Sequence, residues 1–441
     1  MGGGLAGTVA VAVLAALILL STQSLTLGLI SLALAVLLTI IVAIGPTRTG
    51  TMFVMLALFT APMDDVRPLG ASSFVTLSDV FFALGFGLLG PAMLRARVHL
   101  PKAYVAGSVI VLASGFGASL LSDETILSMT TMFRLVAAAI VLPALFMLWR
   151  PSFRTIDVMA GLYVLGQMVS TVDSIVGDQD LGNRHQGLST HPNFFGMCGM
   201  LAFALCLHLF SRVPKKWHFL IWAAIAVSFY SAVSSGSRAA LLVIVLVTVL
   251  YPAVERSAMA SYVVVSLAVI GAASGGALLS RFGEGSAIDR LQGDRTASVS
   301  DSERADQLAT GFQRFLDHPV LGDGFSNAPL LAHNIYLEVA VVIGLVGLIG
   351  YLLVLWCTVA PLFQGKHPMH RLGHAALAYA AIGMLTNSLW DRFVWAVLGL
   401  AFLANLPENE PAKPAPAEPT HRTADLVDAR TTAQIRKVAN T

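Results

Sequence analysis

Runs of roughly 17 to 25 apolar residues follow one another along most of this chain, and they leave few folds open. At about 1.5 Å per helical residue, each is long enough to cross some 30 Å of hydrocarbon. Water is missing there, so backbone amides must pair within the segment, and such runs fold as helices. The 441 residues are 56% hydrophobic and only 12% charged, with a mean hydropathy of +0.76. An ordinary soluble domain carries about twice that share of charge. The expected fold class is therefore an all-α polytopic membrane protein. A net charge of +2 gives no reason to invoke a nucleic-acid partner. Cys198, Cys206 and Cys357 lie within apolar runs without metal-ligand spacing and read as buried thiols. Residues 5–20 follow no basic segment and read as a first span rather than a cleavable signal.

The pattern predicts about twelve to fourteen transmembrane helices. Their limits are near 5–21, 25–45, 50–62, 73–94, 103–121, 128–148, 156–176, 191–211, 217–234, 239–254, 258–279, 334–360, 372–388 and 391–405. Alternating the turns from a cytoplasmic N-terminus puts Arg48, Arg95/Arg97/Lys102, Arg150/Arg154, Arg212/Lys215/Lys216, Arg256 and Lys366/Arg371 on the cytoplasmic side. Asp64/Asp65, Asp123/Glu124 and Asp178/Asp180 then face outward, and all six lysines fall inside, counting Lys413 and Lys437. This is the positive-inside bias. It predicts a multi-pass protein of the cytoplasmic membrane with both termini inside.

Two segments interrupt the apolar rhythm. Residues 406–441, rich in Pro, Ala and Glu, are expected to form a disordered cytoplasmic tail after a membrane domain of 1–405. The other is a large extracytoplasmic loop at about 280–332, with five arginines and eight acids. Within it Ser300 and Glu303 have the spacing of a capping box. Leu308, Phe312, Phe315 and Leu316 recur at helical spacing, and Pro319 ends the run. An amphipathic helix lying at the interface is expected there, with Arg304 flanking its apolar stripe.

The chemistry candidates gather on the outer side. The loop closes with Gly322-Asp323-Gly324-Phe325, and a new apolar helix opens with His333-Asn334 and carries Glu338 one turn further. This trio reads either as a capping cluster at the interface or as a base with its orienting groups, since imidazole titrates near neutrality. Glu338 in a span calls for a polar cavity. Arginine suits a diphosphate through its permanent charge and bidentate fork. Arg184, Arg238 and Arg304 come to the outer face from three separate segments. Arg184 precedes His191-Pro192-Asn193, and Arg238 ends the small-residue turn Ser234-Ser235-Gly236-Ser237. Asp79, Arg134, Asp391 and Arg392 read as structural pairs. Gly344, Gly347 and Gly350 read as a small-residue packing rhythm.

The ordered set Arg184…Gly187…Pro192-Asn193, Ser235-Gly236-Ser237-Arg238-Ala239, Arg304, Pro319…Gly322-Asp323-Gly324 and His333-Asn334 resembles the O-antigen ligase and O-antigen polymerase superfamily. The resemblance covers about residues 155–360. It implies a metal- and cofactor-independent membrane glycosyltransferase acting on a polyprenyl-diphosphate-linked glycan. The implied catalytic groups are His333 and Arg304. Arg184, Arg238, Asn193, Asn334 and Glu338 are the implied substrate-binding groups. The partners would be the lipid-linked glycan, a glycan or lipid acceptor, and membrane lipid. Polymerase and ligase share this chemistry. A transporter or flippase for an envelope precursor is the alternative, although polar groups gathered at one face fit it less well than groups at mid-membrane.

Overall fold

A computed structural model describes residues 25–68, 70, 73–95, 100–177, 184–266, 269, 285–291, 295–326, 328, 333–365 and 367–406. All described regular structure is helical. The chain divides into the units Met1–Asn405 and Leu406–Thr441. Beyond Leu406 the tail lies outside the described residues, as do the predicted span at 5–21 and most of the one at 258–279.

Seven described helices are long and apolar enough to cross a membrane: Lys102–Leu121, Thr125–Trp149, Phe153–Val176, Pro192–Arg212, Lys215–Ser234, Arg238–Glu255 and Ile335–Gln364. Shorter apolar helices accompany them, including Leu77–Met93 and Arg392–Asn405. The protein is thus an all-α multi-pass membrane protein. Small residues set the closest approaches, since apolar side chains alone give helices little reason to associate in lipid. Gly107 on Lys102–Leu121 meets Gly350, and a Cβ on Gly107 would lie 2.6 Å from the Gly350 carbonyl oxygen. Gly50 and Gly85 make a similar pair between Pro46–Thr60 and Leu77–Met93. Arg392–Phe402 is the buried centre, with Phe393, Trp395 and Phe402 each at most 1% exposed.

Three departures from the predicted helices shape the site. The first is in Ile335–Gln364, which is two helices joined at Gly344 (φ 68°, ψ −179°). Residues 345–364 rise about 30 Å, a full crossing, whereas 335–343 form a short arm before the break. The 319–324 segment fills the break. Leu345 N–H donates to the Pro319 carbonyl (2.9 Å), and Asp323 and Gly324 N–H donate to the Val341 and Val342 carbonyls (2.9 and 3.0 Å). Backbone groups orphaned by the kink are satisfied in this way. Gly344 is therefore not part of a plain packing rhythm: a Cβ there would lie 2.0 Å from the Val320 oxygen.

The second departure is at 372–388, predicted as a full span. Helix covers only Gly373–Ile382, a rise of about 15 Å or half the hydrocarbon thickness. Ile335 N–H donates to the Gly383 carbonyl at 2.8 Å. His333 and Asn334 thus lie at the depth where this short helix stops, not at the mouth of a straight span. The third departure is in the loop helix, which runs Arg295–Asp317. Ser300 is therefore interior and the expected capping box does not start the helix. A Ser-x-x-Glu spacing occurs inside helices as readily as at their starts, and nothing local tells the two apart. Leu308, Phe312 and Leu316 are 43–52% exposed, a stripe suited to a lipid interface.

Candidate functional site

The 184–193 segment carries the first arginine, and the turn that follows helix Pro46–Thr60 holds it in place. The Asp64 carboxylate accepts from Thr190 N–H (3.2 Å) and from the Thr190 hydroxyl. Asp65 N–H donates to the Leu188 carbonyl (3.0 Å), and the Ser189 hydroxyl donates to the Pro62 carbonyl (3.2 Å). Burial, only partly opposed by the Thr190 bonds, pushes the Asp64 carboxyl up. Arg184 then reaches across. Its Nε donates to the Ser235 carbonyl at 2.8 Å and its Nη2 to Asn193 Oδ1 at 2.7 Å. Asn193 thus orients an arginine as well as lining the cavity.

The Ser234–Arg238 turn receives Arg184. Gly236 has φ 68°, and a Cβ there would lie 2.7 Å from Arg184 Nε and 2.5 Å from the Gly285 carbonyl oxygen. Only glycine tolerates both the dihedral and the approach. Ser237 caps the following helix, its Oγ accepting from Ala240 N–H (3.4 Å). Arg238 therefore projects from the helix start. It forms a two-pronged pair with Asp301 on the loop helix, Nη1 to Oδ2 at 2.9 Å and Nη2 to Oδ1. Arg238 holds the Asp301 carboxyl below the usual carboxylate range.

Arg290 completes the cluster. Sequence reasoning counted it among the loop arginines without singling it out. It is 7% exposed, and its Nη1 donates to the Gly236 carbonyl at 3.0 Å. A signal was present: Asp289-Arg290 interrupts the small and apolar residues from Gly285 to Leu291. Arg304 comes from the loop helix. Its Nε is buried and has no hydrogen-bond partner among the described residues, and burial, then the Arg238 charge, pulls its pKa down. Arg184 is likewise lowered to about 10, by burial and then by Arg290 and Arg304. Four guanidiniums from four segments thus feel one another's fields. Asn193, Gly236, Arg238, Arg290, Arg304 and Thr386 line one small cavity of ≈ 20 Å³, room for roughly one water.

Two histidines adjoin the arginines. His333 takes a left-handed conformation (φ 49°), uncommon for a residue with a Cβ and a reason to look for function. Burial, then Arg304, lowers its pKa, so the ring is neutral at pH 7. His191, in the sequence no more than a landmark before Pro192-Asn193, is the second. Its Nδ1 accepts from Asn193 N–H at 3.0 Å, and burial with Arg184, His333 and Arg304 lowers it to about 4. Asn334 caps the short arm, its Oδ1 accepting from Leu337 N–H at 3.0 Å. Glu338 is 0% exposed, close enough for its charge to act on Tyr351. Neither Asn334 nor Glu338 lines the arginine cavity.

Gly322-Asp323-Gly324-Phe325 anchors the loop. Asp323 pairs with Arg314 at the end of the loop helix. Phe325 is 1% exposed, and its N–H donates to Ser128 Oγ at 2.7 Å. Among the described residues there is no cluster of three or more His, Cys, Asp or Glu able to hold a metal ion.

Residues 223–352 match the family described as O-antigen ligase. The match bears out the resemblance drawn from the sequence and covers Arg238, Arg290, Arg304 and His333. Arg184, His191 and Asn193 lie before it. No curated protein matches the chain.

Proposed function

We propose, from the O-antigen ligase match and the arginine cavity, that the protein transfers a glycan from a polyprenyl diphosphate to an acceptor hydroxyl, at the extracytoplasmic side of the membrane. The observation that carries the reading is the convergence of Arg184, Arg238, Arg290 and Arg304 beside a neutral imidazole. A buried cation cluster of this kind is costly unless an anion joins it, and a diphosphate supplies two or three charges and several acceptor oxygens.

The step balances simply. The acceptor oxygen forms a bond to the anomeric carbon as the bond from that carbon to the diphosphate oxygen breaks. The acceptor proton passes to His333, and the bonding pair leaves with the polyprenyl diphosphate, whose growing charge the arginines stabilise. A single displacement inverts the anomeric configuration. Arg184, clamped by Ser235 and Asn193, is preorganised for this. Arg304, with its Nε unsatisfied, has the most to gain from the leaving group.

Arg304→Ala is expected to lower transfer by about 10²- to 10³-fold, the cost of removing one preorganised donor, at unchanged protein level. The assay is transfer from lipid-linked glycan by purified protein, and full activity in this variant would remove Arg304 from the reaction.

Asp301 also has a part in the reading. Its carboxylate occupies the fork of Arg238 that a phosphate would take, and the cavity is too small for a diphosphate until that pair opens. Helix Arg295–Asp317 then acts as a gate bearing both Arg304 and the competing carboxylate. Asp301→Asn is expected to lower the KM for the lipid-linked donor by about threefold, on the scale of an exposed ion pair, with kcat little changed. A raised KM would show that Asp301 assists donor binding instead.

A further inference from the structure

A second cleft shares no residue with the arginine cavity. It has a volume of ≈ 690 Å³ and lies among helices Leu77–Met93, Thr125–Trp149 and Arg392–Phe402. Its walls are apolar, with Phe82, Phe86, Val141, Leu145 and Trp395 among them. The shape has a local cause. Pro143 has no N–H to give, and the helix accommodates it with a wide π turn over Val136–Val141. Small residues at this turn and opposite it (Ala137, Ala138 and Gly87) leave the groove open.

Three charged groups stand at its head: Asp79, Arg134 and Arg392. The sequence suggested structural pairs, and the structure supports that for two of them. Arg392 Nε donates to Asp79 Oδ1 at 2.8 Å, and its Nη2 donates to the Phe74 carbonyl at 3.2 Å. Arg134 makes no ion pair among the described residues. Its guanidinium lies 4.1 Å over the Phe74 ring and is near enough to Arg392 for the two charges to repel. Among the charged groups that line the groove one net positive charge is left, and Arg134 lies in a helix that crosses the membrane. Such a charge is expensive without a counter-ion, and basic pockets between membrane helices are suited to lipid phosphate.

We propose that this cleft binds one anionic membrane glycerophospholipid, whose headgroup carries a single net negative charge on its phosphate. The phosphate would sit between Arg134 and Arg392, with one acyl chain along Phe86, Val141 and Leu145. Charge complementarity selects this occupant. A single net negative charge matches the single net positive charge of the lining, whereas a diphosphate suits the cavity lined by Arg238, Arg290 and Arg304. The site does not depend on the glycan-transfer reading.

Native mass spectrometry of the purified full chain tests it, using phosphatidylglycerol and phosphatidylcholine with matched acyl chains. One phosphatidylglycerol is expected to be retained in preference to phosphatidylcholine. Arg134→Gln should lower that retention about tenfold, the low end of the scale for one lost charge-assisted contact. Ala137→Phe, which fills the wall and leaves every charge in place, should do the same and serves if the arginine variant folds poorly. Arg304→Gln, outside the cleft, should leave retention unchanged. Equal retention of the two lipids, or a preference that survives both cleft variants, would overturn the proposal. Displacement of phosphatidylglycerol by polyprenyl phosphate at equal concentration would also overturn it, by giving the cleft to the carrier lipid.

Discussion

Replacing His333 by alanine is expected to lower glycan transfer by about 10²- to 10⁴-fold, the range for a lost general base. The argument rests on three features. The ring adjoins Arg304, whose charge acts on it. It is neutral at physiological pH because burial disfavours the imidazolium and the nearby guanidinium adds to that penalty. Its backbone sits at φ 49°, a conformation that costs a residue with a Cβ roughly 1 kcal/mol or more and is kept where surrounding structure imposes it. His333→Asn separates the two roles, because asparagine tolerates this backbone region well and cannot act as the base. Both variants should lose activity to this extent, with the asparagine form at least as stable as the alanine form. The pH profile adds a second readout. A depressed pKa keeps the base form to lower pH, so the acid limb of the rate should lie below the usual histidine value of about 6.5. Purified variants assayed against lipid-linked glycan decide the matter. Wild-type rates in His333→Asn would assign the proton to another group, with His191 the next to test.

Gly344→Val is expected to destabilise the part of the site that packs around the 319–324 segment, by about 3 kcal/mol or more. Backbone dihedrals of φ 68° and ψ −179° belong to a region that only glycine occupies without strain. The added Cβ would also overlap the Val320 carbonyl, 2.0 Å away, so the 319–324 segment must leave the kink. Its departure removes the partners of Leu345, Asp323 and Gly324 N–H groups and pulls on Phe325, which is held by Ser128. Arg304 and His333 lie on either side of that segment in the chain, so activity should fall with stability. The unfolding midpoint in detergent checks this directly. An unchanged midpoint with full activity would mean that the helix runs straight through position 344. Gly350→Ala tests a different contact, the approach to Gly107, and should weaken helix packing without freeing the loop.

Much of the architecture was legible because hydrocarbon is an unforgiving solvent. Apolar length alone located Lys102–Leu121, Phe153–Val176, Pro192–Arg212 and Arg238–Glu255 to within a few residues. Where the prediction failed, the backbone is not a regular helix although the composition stays apolar. Residues 372–388 are largely apolar, yet helix stops at Ile382. Gly344 carries the same letter as Gly350, but one breaks a helix and the other packs one. What differs is the segment each meets: Val320 in the first case and Gly107 in the second.

The candidate site divides along the same line. Residue type sufficed to mark Arg184, Arg238, Arg304 and His333, because few side chains can serve a diphosphate or accept a proton near neutrality. Their ordered spacing carried the family resemblance. Local pattern could not show that Arg290 joins them through the Gly236 carbonyl, or that Asn193 clamps Arg184. It could not show that Asp301 holds Arg238, or that Asp64 and Thr190 fix the segment bearing His191. Each of these contacts joins segments distant in the chain, except the nine-residue reach from Arg184 to Asn193, which spans a bend with no periodic signature. The sequence by itself determined the solvent this protein folds in, the helices that solvent permits, and the kinds of side chain available at the polar face. Tertiary structure alone decided which of those side chains meet. Convergence depends on where helices stop, kink and approach, and those events turn on long-range contacts that single-chain periodicity does not encode.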